Sequence, residues 1–309
     1  MSSLENVGRL GASESAGRLS SPESAGRRRS LERVGRRISL AHLTLIDVPP
    51  AALVRVAAAA GYDAVGLRIV PVTNGPDYSL RAGSKALREV VQILQDTGLE
   101  VLDAEVVRVG PTTDPAAYEG FLDAAAELGA RHVVVVVEDP VPSRAAATLA
   151  GLCALAAGRQ ITAMVEFMMF KEVRTLLEAV ALLADAGAVN AGILLDPLHL
   201  ARSGGTVEQV RQLPAELVPY LQICDAASAE PAQDAEAAGV EARRARLLPG
   251  TGQLPLTELL AAVPPQAALS LEVPDGWVNP DPLGRARQVL DSAISWLARS
   301  APGSEPQPW

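Results

Sequence analysis

From Ile38 onward, short apolar runs alternate with helix-forming segments eight times, always in that order. The runs lie at 37–45, 62–70, 99–107, 131–137, 161–167, 191–196, 220–225 and 267–273. The helical segments follow at 49–61, 80–97, 115–128, 143–157, 172–186, 207–212, 256–262 and 282–298. Their ends carry helix punctuation. Pro49 and Pro50 open the first segment and Gly61 closes it, because proline has no N–H to waste at a first turn and glycine accepts the left-handed turn at the end. The runs are almost unbroken in apolar residues, as in parallel strands covered on both faces. Eight β-then-α units in roughly 260 residues predict a closed (β/α)8 barrel, the TIM barrel, rather than an open doubly wound sheet. No glycine-rich phosphate cradle follows the first run, where the chain reads His42 to Asp47. A barrel places its chemistry at the C-terminal ends of its strands.

Four of those ends share a property. The fifth run stops at Glu166, the sixth at Asp196, the seventh carries Gln222, and the eighth carries Glu272. Consecutive strands of a barrel bring these side chains to one point. Three carboxylates with an amide oxygen form a hard-oxygen set, which favours Mg²⁺ or Mn²⁺ over Zn²⁺. The expected cofactor is therefore one divalent metal ion held by Glu166, Asp196, Gln222 and Glu272.

Composition narrows the partners. The net charge of -9 argues against nucleic acid, whose phosphates are met by Lys and Arg. No apolar run reaches the roughly 18 residues of a membrane helix. Aromatic residues are only 3% of the chain, so its core must rest on Ala, Val and Leu. Cys153 and Cys224 form no ligand pair and no disulfide framework, and read as buried thiols of a cytoplasmic protein. The segment before the barrel is different. Glu5, Glu14, Glu23 and Glu32 recur every nine residues, and eight arginines up to Arg37 stand among Ser and Gly with no apolar periodicity. Residues 1–36 are expected to be a disordered tail, 37–300 the barrel, and 301–309 a flexible C-terminal end.

Several pieces together resemble the xylose isomerase-like TIM barrels, also called the sugar phosphate isomerase/epimerase family. They are V-E-F at Glu166, D-P-L-H from Asp196 to His199, Q-I-C-D from Gln222 to Asp225, R-L-L-P-G-T-G from Arg246 to Gly252, and L-E-V-P at Glu272. The resemblance implies that the strand-end Glu, Asp, His-or-Gln and Glu bind one divalent metal, and that His199 and Arg246 contact substrate. Gln222 stands where histidine is commoner, an arrangement similar to the dehydroshikimate dehydratases of this superfamily. The stretch from Ala226 to Arg244 is longer than in simple epimerases and reads as a polar loop. Arg243 and Arg244 therefore compete with Arg246 for the substrate role.

The remaining candidates follow from position. His42 and Arg68, near the mouth, are expected to bind substrate, and Arg68 has an alternative partner in Glu105. His132 begins the fourth strand at the opposite end and reads as structural. Phe167, Met168, Met169 and Phe170 follow Glu166 and could wall the site against a ring substrate.

A metal-held carbonyl makes the neighbouring C–H acidic, and Glu166 and Glu272 are the acid/base pair that would move that proton. The expected activity is that of an isomerase or epimerase of a sugar-like or polyol-derived hydroxy-ketone, acting through an enediolate. The alternative is a dehydratase of a cyclic hydroxy-ketone. A metal-binding barrel without catalysis is the reading from another class. Nuclease chemistry on a His-rich multi-zinc site does not suit a chain with three histidines. A small molecule is the expected partner, and the outer helices leave room for a homodimer.

Overall fold

Every one of the eight apolar runs forms a strand. They are β1 Ile38–Leu40, β2 Ala64–Arg68, β3 Glu100–Val109, β4 His132–Val137, β5 Thr162–Glu166, β6 Ala191–Leu194, β7 Tyr220–Ile223 and β8 Ala268–Leu271. The computed structural model describes residues 35–71, 78–276 and 279–300. The predicted tail up to residue 34 and the predicted flexible end at 301–309 lie outside the described residues. Arg36 is docked, its guanidinium donating to the carbonyls of Pro264, Ala267 and Leu260 at 2.8–3.2 Å.

The strands run parallel in the order β6-β5-β4-β3-β2-β1-β8-β7. The two ends of that sheet meet through a parallel bridge between Leu195 and Leu221, where the Gln222 N–H donates to the Leu195 carbonyl at 2.9 Å. The result is a nearly closed eight-stranded barrel with its seam between β6 and β7.

Side-chain alternation explains where the chemistry falls. Ala64, Leu102, Val134, Met164, Leu194, Tyr220 and Ala268, each from a different strand, form a buried cluster separate from the larger core under the helices. This layer fills the barrel interior. Strand side chains repeat with a period of two. The residues two or four positions further along these strands are Arg68, Val136, Glu166, Asp196, Gln222 and Glu272. One parity therefore packs the interior and then delivers the polar groups to its C-terminal mouth.

The helices are α1 Pro50–Ala60, α2 Lys85–Thr97, α3 Glu119–Glu127, α4 Pro142–Ala157, α5 Leu176–Ala186, α6 Pro197–Arg202, α7 Val207–Arg211, α8 Ala235–Arg244, α9 Leu256–Ala262 and α10 Pro282–Ser300. Gly61 ends α1 at φ 104° and donates its N–H to the Ala57 carbonyl, as the punctuation predicts. Two helices start later than the apolar pattern suggests, because capping decides the boundary. Ser84 caps α2, and Thr175 with Glu178 forms a reciprocal capping box on α5.

Two further differences are larger. D-P-L-H, which follows directly on the sixth run, starts a helix of its own, α6, with the Asp196 side chain as its N-cap. The stretch read as a polar loop contains α8, capped by Asp234 and burying Ala238, Gly239 and Ala242. Four alanines and two glutamates among its ten residues are enough to hold a helix once one face is covered.

Arg202 fastens that insertion to the barrel. Its guanidinium pairs with both oxygens of Glu241 at 2.6 and 2.7 Å and donates to the carbonyls of Ser228 and Glu230. The Arg202 side chain is 8% exposed, so truncation leaves a partly buried carboxylate and two carbonyls without their donor. Arg202→Met is expected to cost about 3 kcal/mol. It should also make the 226–244 segment the first site of limited proteolysis; wild-type resistance there would refute the fastening role.

Both cysteines are buried. Burial pushes the Cys153 thiol up to about 11 and raises Cys224 as well, which removes the reactive thiolate at neutral pH. Neither should react with a thiol reagent in the native protein at pH 7.5, and both should react in denaturant.

Candidate active site

The C-terminal mouth opens into a cavity of about 860 Å³ lined by Arg68, Glu105, Glu166, His199, Gln222, Arg246 and Glu272 among others. Glu166 is the last residue of β5, Gln222 lies within β7, and Glu272 follows β8 directly. Asp196 lies between β6 and α6, where one carboxylate oxygen accepts the N–H groups of Leu198 at 2.7 Å and His199 at 3.2 Å. The helix N-terminus thus fixes the rotamer of Asp196 and leaves its second oxygen facing the mouth.

Arg246 occupies the centre of this group. Its side chain is 1% exposed. One terminal nitrogen pairs with the free oxygen of Asp196, and the other reaches Glu272 Oε2 at 2.8 Å. Its Nε donates to the Ala242 carbonyl of α8 at 2.8 Å. Gln222 Nε2 donates to Glu272 Oε1 at 3.0 Å. That leaves Gln222 Oε1 buried without a hydrogen-bond partner.

Glu166 has a different environment. His199 Nε2 lies 3.7 Å from its Oε1, and the same nitrogen lies 4.0 Å from Asp196 Oδ2. Donor atoms of Glu166, Asp196 and His199 all fall within 4.8 Å of one another. Burial raises the Glu166 carboxyl well above its usual range, and the charges of Glu272 and Asp196 raise it further. Burial also pushes Glu272 up to about 7, against the pull of Arg246. Asp196 feels the same burial, but Arg246 beside it holds it below the ordinary carboxylate value. Burial lowers His199 to about 4, so its ring is neutral and has a nitrogen free to accept.

These residues fit a divalent cation. An unpartnered buried amide oxygen, a carboxylate destabilised by its neighbours' negative charge, and a neutral imidazole are the groups a metal satisfies. Glu166, Asp196, Gln222 and Glu272 would hold it, with His199 as a fifth donor. The sequence reading assigned His199 to substrate alone; its distance to the carboxylates became visible once α6 was seen to turn it inward.

The other sequence candidates divide. Arg68 lines the cavity and also pairs with Glu105 at 2.7 Å, the alternative partner read from the sequence. His42 is fully buried and is not among the cavity-lining residues. Its Nε2 meets the Val48 carbonyl at 2.9 Å and its Nδ1 accepts the Arg68 N–H at 2.9 Å, so both ring nitrogens are engaged in the scaffold. His132 packs against Tyr220, ring centroids 5.0 Å apart and tilted by 31°, far down the barrel at the start of β4. Arg243 and Arg244 line the outer cavity, Arg243 lying 5.2 Å over the Phe170 ring. Of the four residues after Glu166, Met168 and Phe170 reach the cavity, whereas Phe167 is core. Phe170 also meets His199 edge-on at 5.6 Å.

Asp225 was read only as part of a motif, and the structure gives it a task. Its two oxygens accept four backbone N–H groups, from Ala226, Leu254, Gly250 and Gly252, at 2.8–3.1 Å. This fixes the P-G-T-G turn beneath Arg246. A Cβ on Gly252 would lie 2.2 Å from the Ala226 carbonyl oxygen and 2.4 Å from Asp225 Oδ1, which is why glycine stands there.

A (β/α)8 barrel with a polar, carboxylate-rich cavity at its strand C-termini defines the class. Residues 54–299 match the family described as xylose isomerase-like TIM barrel, and the chain belongs to it. No curated protein matches the chain in sequence. Among solved structures, it resembles a xylose isomerase-like TIM barrel/4-hydroxyphenylpyruvate dioxygenase fusion protein at 23% identity and TM-score 0.70. That match covers 83% of this chain and 42% of the fusion, so the chain spans less than half of that protein. The IOLI protein with a bound zinc atom is 17% identical with TM-score 0.68, covering 85% of this chain and 97% of the other. The probable 3-DHS dehydratase AsbF from Bacillus anthracis is 16% identical with TM-score 0.66, covering 85% and 98%. At these identities the likeness is one of fold. No helix among the described residues is long and apolar enough to cross a membrane.

Proposed function

We propose that this protein is a metal-dependent isomerase or epimerase that moves a proton next to the carbonyl of a sugar-like or polyol-derived hydroxy-ketone. The observation that carries the reading is the pair of buried glutamates, Glu166 and Glu272, facing one cavity where burial raises both carboxyls above their usual range, Glu272 to about 7. A carboxyl in that condition can both take and return a proton at physiological pH. A divalent ion at this site supplies the polarisation that makes the adjacent C–H acidic. The residues do the rest. One glutamate removes the proton from the carbon, and the other returns one from the opposite side for epimerisation or at the neighbouring carbon for isomerisation. His199 and Arg246 orient the substrate oxygens, and Arg68 contributes from the far wall. Met168 and Phe170 cover the apolar face and exclude water. The zinc in the IOLI neighbour and the nearby imidazole of His199 admit Zn²⁺ beside the Mn²⁺ or Mg²⁺ that the oxygen donors favour.

A second reading has its own support. Gln222 in place of histidine and the aromatic wall at Phe170 suit a cyclic hydroxy-ketone, and the likeness to the AsbF dehydratase agrees with it. If a hydroxyl lies β to the deprotonated carbon, the same step expels water and yields a conjugated enone.

One experiment tests both. Purified protein with Mn²⁺, Mg²⁺ or Zn²⁺ is incubated in D₂O with a ketohexose, an inosose and dehydroshikimate. Deuterium incorporated with an isomerised or epimerised product supports the first reading, and the absorbance of a new enone from the inosose or of an aromatic diol from dehydroshikimate supports the second. If no member of the panel exchanges, isomerises or dehydrates, the proton-transfer proposal fails for these substrate classes. Dialysis against a chelator is expected to abolish the activity found, and one of the three ions should restore it. Full activity in metal-stripped protein would remove the metal from the proposal.

A further inference from the structure

The guanidinium of Arg246 stands on two of the four proposed metal ligands. One terminal nitrogen is on Asp196 and the other lies 2.8 Å from Glu272 Oε2. A guanidinium keeps its charge throughout the physiological range. It is buried in the mouth of the barrel, with its Nε tied to the Ala242 carbonyl. Two positively charged groups cannot share those oxygens at low dielectric.

We infer that Arg246 is the protein's own cation at this site. It neutralises Asp196 and Glu272 when no divalent ion is bound, and an arriving ion must displace it. This rests on the metal-dependent reading above and adds a competitor that the ligand set alone does not reveal. Two observations beyond the ion pairs support it. Gln222 Oε1 is buried and unpartnered beside Glu272, so Arg246 compensates the charge without satisfying the whole donor set. Among the described residues, Glu166 has no Lys or Arg within ion-pair distance, only the ring of His199 at 3.7 Å. One positive charge thus stands against three carboxylates, and a dication offsets more of that charge than the guanidinium does.

The displaced side chain has a defined destination. Arg246 lines the cavity, and its Nε anchor lies on α8, which forms the cavity's outer wall with Val240, Ala242, Arg243 and Arg244. Leaving the carboxylates turns the charged end toward the space a substrate oxygen would occupy. Metal binding and the readiness of Arg246 to hold substrate are then one event. Any charge-removing substitution at 246 should strengthen metal binding while weakening the metal-free fold.

The test is binding of Mn²⁺ alone, by calorimetry, to the full chain and to its Arg246→Met and Arg246→Lys variants. Arg246→Met is expected to bind Mn²⁺ at least tenfold more tightly than wild type, with Arg246→Lys between them. Metal-free Arg246→Met should melt below wild type and gain more from Mn²⁺. Equal or weaker binding by Arg246→Met, with wild type still binding, overturns the displacement and leaves the metal site standing. Absence of binding by either protein removes the metal reading and this inference with it. Should Arg246→Met fail to fold, the wild type decides. In ¹⁵N spectra of arginine side chains, the buried Arg246 Nε–H should be slow to exchange without metal and should shift or lose protection on saturation with diamagnetic Zn²⁺. An unchanged signal in the zinc-bound protein overturns the inference.

Discussion

Glu166→Gln is expected to lower turnover by at least about 10²-fold and to leave the melting temperature unchanged or raised. The two effects have one cause. Glu166 is buried at the end of β5, close to Asp196, and among the described residues it accepts no hydrogen bond whose loss would weaken the fold. Its negative charge is opposed by burial and by two neighbouring carboxylates. The amide keeps the volume and removes that repulsion, which is stabilising. It also removes the proton-transferring group and replaces an anionic metal donor with a neutral one, which is fatal to the proposed reaction. Turnover on any substrate found with the panel, measured beside thermal denaturation, gives both numbers. Wild-type turnover in the variant would exclude Glu166 from acid/base work. A large fall in melting temperature would show that its role is structural.

Asp225→Ala should have the largest effect on stability away from the ligands. Four backbone N–H groups converge on that buried carboxylate, and truncation leaves them without their acceptor, those of Ala226 and Leu254 buried and those of the exposed Gly250 and Gly252 part-buried. At about 1–3 kcal/mol for each buried donor left unpaired, and with some rescued by water, a loss of about 4 kcal/mol is expected. For a domain of this size that is a fall of roughly 8–16 °C in melting temperature. Asp225→Asn should lie between, since its amide nitrogen cannot accept from the pair of N–H groups it would face. Gly252→Ala attacks the same turn from the other side through its clash with the Ala226 carbonyl. A drop below about 1 kcal/mol in Asp225→Ala would mean that the turn is held by other contacts.

The barrel and the four strand ends were legible because both depend on short-range pattern. Alternating apolar runs and capped helices define the units, and period-two alternation sends Glu166, Asp196, Gln222 and Glu272 inward from the same face as the layer beneath them. What could not be read depends on which partner a side chain chooses at long range. His42 sits at the correct end of β1, yet its two ring nitrogens are taken by Val48 and Arg68. Arg246 was placed against substrate; the structure sets it on Asp196 and Glu272, a contact spanning 50 residues to the first. The α8 helix was hidden by its polar composition, because the face it buries is only Ala238, Gly239 and Ala242. Asp225 gave no signal of its own, since a carboxylate that accepts four N–H groups looks like any other acid in sequence.

The attachment of the 226–244 segment has a consequence for how such a protein diversifies. Val240, Ala242, Arg243 and Arg244 form one wall of the cavity, and they belong to a piece of chain inserted after the seventh strand and fastened chiefly through Arg202. The donors at the strand ends belong to the barrel. A change of length or charge in the inserted piece alters which molecules are admitted without moving a donor atom, as a lock can be rekeyed without recutting the door. Two proteins with the same four strand-end residues can therefore diverge in diet while sharing a reaction, and the inserted segment is where that divergence would be written.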